Sequence, residues 1–331
     1  MTDAAVVRVV ITTFNHERYI TQAVESVLLQ EAPFPYEVVV IDDCSTDGTV
    51  DELNRLAERY PQRFTVVQPP ANRNDLHDFG AALDECTAPY LAMLDGDDYW
   101  TSTTKLARQI ELLDAHPEYA LACHAVHPVD ESGAASHVQY EDRRTRYSRD
   151  DLWSACFIHT GSAVFRRSAF DRLPAWYFES VAGDWELFLL LTLRGDVWFD
   201  PERMSAYRVH AGGMWSGIDS RRQAAQVHDF YRHQQRAWGR GFTRNRAATL
   251  SRAVTLAFRY GEADQRLKSW RWLTEAIARS AVHPSDAHGP SRADVKRMIA
   301  WRVRADRDHL LRRDRETAQG RTDDRPDETP L

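Results

Sequence analysis

Leu91-Ala92-Met93-Leu94 is an apolar run that stops on Asp95-Gly96-Asp97-Asp98, three carboxylates around one glycine, before Tyr99-Trp100. The apolar half reads as a buried strand. The acidic half is costly in isolation. Carboxylates a few ångströms apart raise one another's pKa, whereas a hard divalent cation removes that repulsion and leaves positions open for substrate phosphates. The segment reads either as a metal-diphosphate site or as a solvated Asp-rich turn after a strand.

Two further segments repeat the pattern. Val6-Val7-Arg8-Val9-Val10-Ile11 is a near-continuous β-branched run, followed by the loop Thr12-Thr13-Phe14-Asn15 and by Ile20, Ala23, Val24, Val27 and Leu28 at helical spacing. Tyr36-Glu37-Val38-Val39-Val40-Ile41 runs into Asp42-Asp43-Cys44-Ser45-Thr46-Asp47-Gly48-Thr49 and then a helix through Val50, Leu53, Leu56 and Ala57. Polar residues thus collect at the carboxyl ends of parallel strands, where open α/β sheets bind their ligands. Further along, 64–68, 120–126 and 160–165 read as strands, and 79–83, 105–113 and 185–193 as helices. The polar stretch 130–150 reads as a mobile loop. From Arg221 onward only helices are plausible, and 315–331 lacks apolar periodicity and reads as a disordered tail.

The motifs carry a specific resemblance over about residues 6–215. The chain resembles the family 2 glycosyltransferases of GT-A fold. Val9-Val10-Ile11-Thr12-Thr13-Phe14-Asn15 is similar to the family's first-strand motif. Val40-Ile41-Asp42-Asp43-Cys44-Ser45-Thr46-Asp47-Gly48-Thr49 is similar to its Asp-Asp-Gly-Ser-Thr-Asp-Gly-Thr motif, with Cys44 in place of glycine. Leu94-Asp95-Gly96-Asp97-Asp98 is similar to its metal-binding Asp-X-Asp segment. Gly183-Asp184-Trp185-Glu186 resembles the acidic motif that supplies the catalytic base, and Tyr207-Arg208-Val209-His210 the segment that closes the site. One departure stands out: the acidic motif usually reads Glu-Asp, and here Gly183 replaces the supporting carboxylate.

The resemblance implies a Rossmann-like, mixed, mostly parallel sheet flanked by helices, with a C-terminal helical region. It implies an inverting, metal-assisted transfer of a sugar from a nucleotide diphosphate sugar to an acceptor hydroxyl. Asp97 is the first metal ligand and His210, ahead of a glycine-rich loop, the second, for Mn²⁺ or Mg²⁺. Asp95 contacts the ribose or the sugar, and Asp98 is a candidate for a metal-bound water. Thr12 and Phe14 lie where the family contacts the nucleobase. Asp43 is placed to accept the imino proton of uracil, which favours UDP, although guanine offers the same proton. Asn72 and Arg73 lie near the base or phosphates, or else in a solvated turn. Asp184 is the general base, its proton affinity raised by Trp185 and nearby apolar residues. Glu186 reads as structural, and as the substitute if the register is different.

The expected organisation is a catalytic domain at 1–217, divided into a nucleotide-binding half at about 1–100 and an acceptor half at 101–217, a helical region at 218–314, and the tail at 315–331. Tyr231, Trp238, Trp270, Trp272, Leu273 and Ile277 give the helical region more apolar surface than a helical hairpin hides. It is expected to pack on the catalytic domain, with a homodimer contact or a peripheral membrane contact left open. A net charge of −7 argues against a nucleic-acid partner. Four cysteines without Cys-X-X-Cys spacing, and no apolar segment before Val6, favour the cytoplasm. No run reaches the ~20 apolar residues of a membrane span. A non-catalytic nucleotide-binding or interaction module on the same scaffold is the alternative, motivated by Gly183.

Overall fold

The computed structural model of the chain describes residues 4–72, 76–136, 144–154, 156–180, 182–244, 246–262, 265–282, 296–297, 299–300 and 303. Strand β1 (Val7–Thr13), helix α1 (Ile20–Leu28), β2 (Tyr36–Asp42), α2 (Thr49–Arg59), β3 (Thr65–Val67), α3 (His77–Asp84) and β4 (Tyr90–Asp95) form an alternating βα array. There follow β5 (Tyr99–Trp100), α4 (Lys105–Ala115), β6 (Tyr119–Val129), β7 (Arg146–Tyr147), α5 (Arg149–Ser154), β8 (Val164–Arg166), α6 (Gly183–Leu191) and β9 (Asp196–Arg208). The chain then turns helical through α7 (Ser220–Trp238), α8 (Arg240–Arg244), α9 (Arg246–Glu262) and α10 (Arg266–Val282).

These strands form one mixed sheet in the order β3-β2-β1-β4-β8-β6-β9-β5, with β7 on β9. The long ladders, β1 with β2 and β4, β2 with β3, and β6 with β9, are parallel, and the antiparallel pairings are short. Side-chain alternation along the strands sorts the core into two layers. Val7, Val9 and Ile11 of β1 and Tyr90, Ala92 and Leu94 of β4 pack with Ile20, Val24, Leu53, Leu106 and Ile110 of α1, α2 and α4. Val10, Leu91 and Met93 face the other way, into a cluster with Phe79, Leu83, Phe165, Trp185 and Phe188.

The helical region joins that second layer. Phe230 stacks on Trp185 at 3.9 Å between ring centroids, Phe242 meets Trp153 edge-on at 5.0 Å, and the Tyr231 hydroxyl donates to the Trp153 carbonyl at 2.7 Å. Phe230, Tyr231 and Phe242 are therefore buried against α5 and α6, whereas Phe258 and Ile277 remain exposed. No helix among the described residues is long and apolar enough to cross a membrane.

Three local expectations are corrected. Thr12 and Thr13 belong to β1, not to the loop after it, because both pair with β2. Residues 160–165 are not one strand: Thr160–Ser162 form a 3₁₀ turn before β8, held by Ser162 N–H to the His159 carbonyl at 2.8 Å. Within 130–150, the described residues 130–136 and 144–150 carry defined turns and a strand. Asp130 Oδ1 accepts from Ser132 and Ala134 amides, and β7 pairs with β9; residues 137–143 lie outside the described set, as do Arg73 and the tail.

Candidate active site

The parallel ladder carries three loops to one edge of the sheet and hydrogen bonds bind them there. Asp43 N–H donates to the Thr13 carbonyl at 3.0 Å, and Gly96 N–H to the Thr12 carbonyl at 2.8 Å. Asn15 Oδ1 accepts from Thr46 N–H at 2.7 Å, while Asn15 N–H donates to Ser45 Oγ at 2.9 Å. Asn15 and Cys44 both hold φ of 57°, so Cys44 adopts the left-handed conformation for which glycine is the usual choice. Asp42 caps its own turn, accepting from Ser45 N–H at 3.1 Å. Gly96 is dictated by crowding: a Cβ there would lie 2.8 Å from Thr13 Cβ and 2.9 Å from His16 Nδ1.

The acidic turn after β4 divides its carboxylates among different tasks. Asp98 is buried and accepts from the Arg208 N–H at 2.7 Å, while the Arg208 Nε donates to the Asp97 carbonyl at 2.8 Å. Burial, then Asp97 and Asp95, push Asp98 well above the usual carboxylate range. Its enclosure and its bond to Arg208 make it a brace for the turn. Asp97 sits 2.9 Å through Oδ2 from His210 Nε2 and 3.8 Å from His16 Nε2. Burial works to raise Asp97, but the His210 hydrogen bond and the two imidazoles prevail and hold it below its ordinary value. Asp95 accepts from the Thr12 hydroxyl at 3.1 Å. Burial first, then Asp97 and Asp184, lift Asp95 to about 7.

Asp184 reaches the same place from the far side of the sheet. It lies in the first turn of α6, where its Oδ1 accepts from Trp185 N–H at 2.7 Å and its Oδ2 from the Thr160 hydroxyl at 3.3 Å. Burial raises its proton affinity, partly offset by those two donors. The Trp185 indole is turned away, donating to the Leu152 carbonyl at 2.7 Å, so its contribution is apolar cover for the helix. Gly183, where the resemblance implies a further carboxylate, is packed by Leu76. A Cβ on Gly183 would lie 2.7 Å from both methyls of Leu76, which occupies the space a longer side chain would need. Glu186, two positions on, is fully buried and faces away, accepting from His233 Nδ1 at 2.9 Å and Gln234 Nε2 at 2.6 Å.

Asp95, Asp97, His210 and Asp184 are thus brought together, with Thr12 attached through Asp95. Phe14 is exposed in the adjoining loop and Asp43 is half-buried beside it. Arg73 lies outside the described residues. Among the described residues no three His, Cys, Asp or Glu side chains cluster as a metal cage. A carboxylate and an imidazole 2.9 Å apart, with neighbouring acids raising one another, nevertheless suit a divalent ion that takes its remaining ligands from phosphates and water. Sequence reasoning missed His16, Thr160 and the bracing role of Arg208. His16 was legible only as a histidine in a strand-end loop, and Thr160 carried no signal because its segment read as strand.

Residues 8–173 match the family described as Glycosyl transferase family 2. An uncharacterised protein of Mycobacterium tuberculosis is 33% identical over 261 residues, covering 77% of this chain and 70% of the relative. The UDP-Glc:alpha-D-GlcNAc-diphosphoundecaprenol beta-1,3-glucosyltransferase WfaP of Escherichia coli is 24% identical over 209 residues, covering 63% of this chain and 79% of that one. Among solved structures, the mannosyltransferase PcManGT of Pyrobaculum calidifontis, in complex with GDP-Man and Mn²⁺, superposes with a TM-score of 0.58 at 20% identity, covering 83% of this chain and 76% of its own. Residues 1–349 of TarS from S. aureus, in complex with UDP-GlcNAc, give a TM-score of 0.56 at 17% identity, covering 82% and 81%. The fold is GT-A, and the chain belongs to glycosyl transferase family 2 and is a glycosyltransferase.

Proposed function

We propose that the enzyme transfers a sugar, with inversion at the anomeric carbon, from a nucleoside diphosphate sugar to an acceptor hydroxyl, using Asp184 as general base. The observation that carries this reading is that the Thr160 hydroxyl, 3.3 Å from Asp184 Oδ2, ties that carboxylate to a turn bonded to β4 two residues before Asp95. The acidic turn of β4 and the first turn of α6 therefore serve one site. In the transfer, the acceptor oxygen attacks the anomeric carbon as the bond from that carbon to the diphosphate oxygen breaks. The electron pair leaves with the diphosphate, and the acceptor's proton passes to Asp184. Burial equips this carboxylate for the task by increasing its hunger for a proton. Direct displacement by the acceptor calls for no covalent intermediate.

Asp97 and His210 are the residues we assign to a divalent cation, Mn²⁺ or Mg²⁺, which when bound neutralises charge on the departing diphosphate. Asp95 is assigned to the ribose or sugar, and Thr12, Phe14 and Asp43 to the nucleoside. UDP is the favoured donor nucleotide. Support for a nucleotide sugar comes from WfaP, named for UDP-Glc, and from the structures with UDP-GlcNAc and with GDP-Man and Mn²⁺. A cytoplasmic setting is part of the same proposal and is consistent with the absence of any disulfide among the described cysteines.

Thermal shift with UDP, GDP and dTDP, each with and without Mn²⁺, tests the binding half. UDP with Mn²⁺ is expected to give the largest rise in Tm, and the absence of any nucleotide response would overturn the reading. Release of nucleoside diphosphate from the matching sugar donor in the presence of candidate acceptors then separates the enzyme from a binding module that keeps the scaffold.

A further inference from the structure

We infer that Thr160 is a positioning residue for the general base, its hydroxyl holding the Asp184 carboxylate at the angle from which it receives the acceptor's proton. The inference rests on the assignment of Asp184 as base. Besides its own N–H, the Asp184 carboxylate accepts, among the described residues, from Trp185 N–H at Oδ1, 2.7 Å, and from the Thr160 hydroxyl at Oδ2, 3.3 Å. The first donor belongs to the same helix as Asp184 and moves with it. Thr160 is the donor from outside α6, so it alone of the two ties the carboxylate to the sheet that carries the rest of the site.

The turn that presents this hydroxyl is itself fixed. Trp100 Nε1 donates to the Gly161 carbonyl at 2.8 Å and Gln109 Nε2 to the Ser162 carbonyl at 3.0 Å. Ser162 Oγ donates to the His159 carbonyl at 2.7 Å, and Met93 N–H to the Ala163 carbonyl at 3.3 Å. The last bond attaches the turn to β4, two residues before Asp95. A hydroxyl on a turn pinned this way has little freedom, which is what alignment of a reacting carboxylate requires. Gly183, next to Asp184 at the helix start, has no side chain to offer it a donor, and the Leu76 methyls pack over that glycine. The charged and titratable groups around Asp184 are then Asp95, Glu186 on the far face of α6, and Tyr177.

Thr160→Val keeps the shape and removes the hydroxyl, whereas Thr160→Ser keeps the hydroxyl. We expect Thr160→Val to lower kcat for donor turnover by about 10–100-fold with donor KM and Tm near parental, and Thr160→Ser to restore most of the loss. A readout that needs no acceptor accompanies it: the titration of the Asp184 carboxyl by ¹³C NMR, assigned with Asp184→Asn. Its midpoint should move upward in Thr160→Val and stay in place in Thr160→Ser. If Asp184→Asn is inactive while Thr160→Val keeps both kcat and the carboxyl titration of the parent, the inference is wrong and the base assignment stands. A fall in kcat with an unmoved titration, or an equal loss in Thr160→Ser, also overturns it. If Asp184→Asn turns over like the parent, the base assignment itself fails.

Discussion

Asp184 and Glu186 are acids two positions apart on one helix, and they live in opposite surroundings. At ~100° per residue, two positions turn a side chain about 200° around the helix, so they face opposite sides. Asp184 looks toward the β4 carboxylates and the cleft, held by a backbone N–H and the Thr160 hydroxyl. Glu186 looks into the seam with α7, where His233 and Gln234 donate to one oxygen and Trp238 Nε1 closes the network by donating to Gln234 Oε1 at 2.7 Å. Burial raises both, Glu186 from its ordinary 4.5 to about 8. A perturbed acid is therefore not by itself a catalytic one. Asp184 is tied by the Thr160 hydroxyl to the turn beside β4, whereas Glu186, although Asp184 raises it too, is sealed between two helices with amide and imidazole partners.

The comparison breaks most visibly at Asp184. Asp184→Asn is expected to reduce turnover by ~10²–10⁴ with nucleotide affinity and Tm near parental, as judged by steady-state kinetics and calorimetry. Parental turnover would transfer the role to another group. Asp97→Ala is expected to abolish the part of nucleotide stabilisation that depends on Mn²⁺, out of a total of about 2.7 kcal/mol at ligand concentrations 100-fold above Kd. The apo Tm should change little. Gly96→Ala brings a methyl against Thr13 and His16 and should cost about 1–3 kcal/mol by overpacking, measured by denaturant unfolding.

The smallest effect is at Glu186 and concerns pH. Between its ordinary 4.5 and the raised value of about 8, the folded protein retains a proton that the unfolded chain releases. The stability this group contributes is full below about 4.5 and is lost as pH rises toward 8. His233 runs the other way: burial lowers its proton affinity, so its share is present above its ordinary 6.5 and is lost on acidification. Glu186→Gln should flatten the alkaline decline of Tm across pH 5–8 while leaving turnover intact. An unchanged Tm profile would show that Glu186 is ionised in its seam, and lost turnover would show that the two faces of α6 are coupled.

The strands and the acidic turn were legible because their signals are local. A β-branched run such as Val7–Ile11 has few alternatives to a buried strand, and Asp95-Gly96-Asp97-Asp98 carries its electrostatic problem in its spacing. The 3₁₀ turn at Thr160–Ser162 was not legible. Its small and β-branched residues suit a strand equally well, and the bonds that pin the turn in place come from Trp100 and Gln109, about 50–60 positions away. Leu76 against Gly183 is similar: the sequence displays a missing acid, and only packing displays what replaced it.

The sequence by itself determined the βα order from β1 to β4, the acids that end those strands, and the residue types offered for metal and proton chemistry, because periodicity and motif spacing are properties of neighbouring residues; the 13-residue strand β9 was not read from it. Tertiary structure alone decided which of those acids share a site. Asp97 meets His210 across 113 positions, Asp98 meets Arg208 across 110, and Glu186 is withdrawn from the cleft by His233 and Gln234 of α7. A carboxylate's task is set by the dielectric around it and the donors it finds, and both are supplied by segments that come together only when the sheet and its helices close.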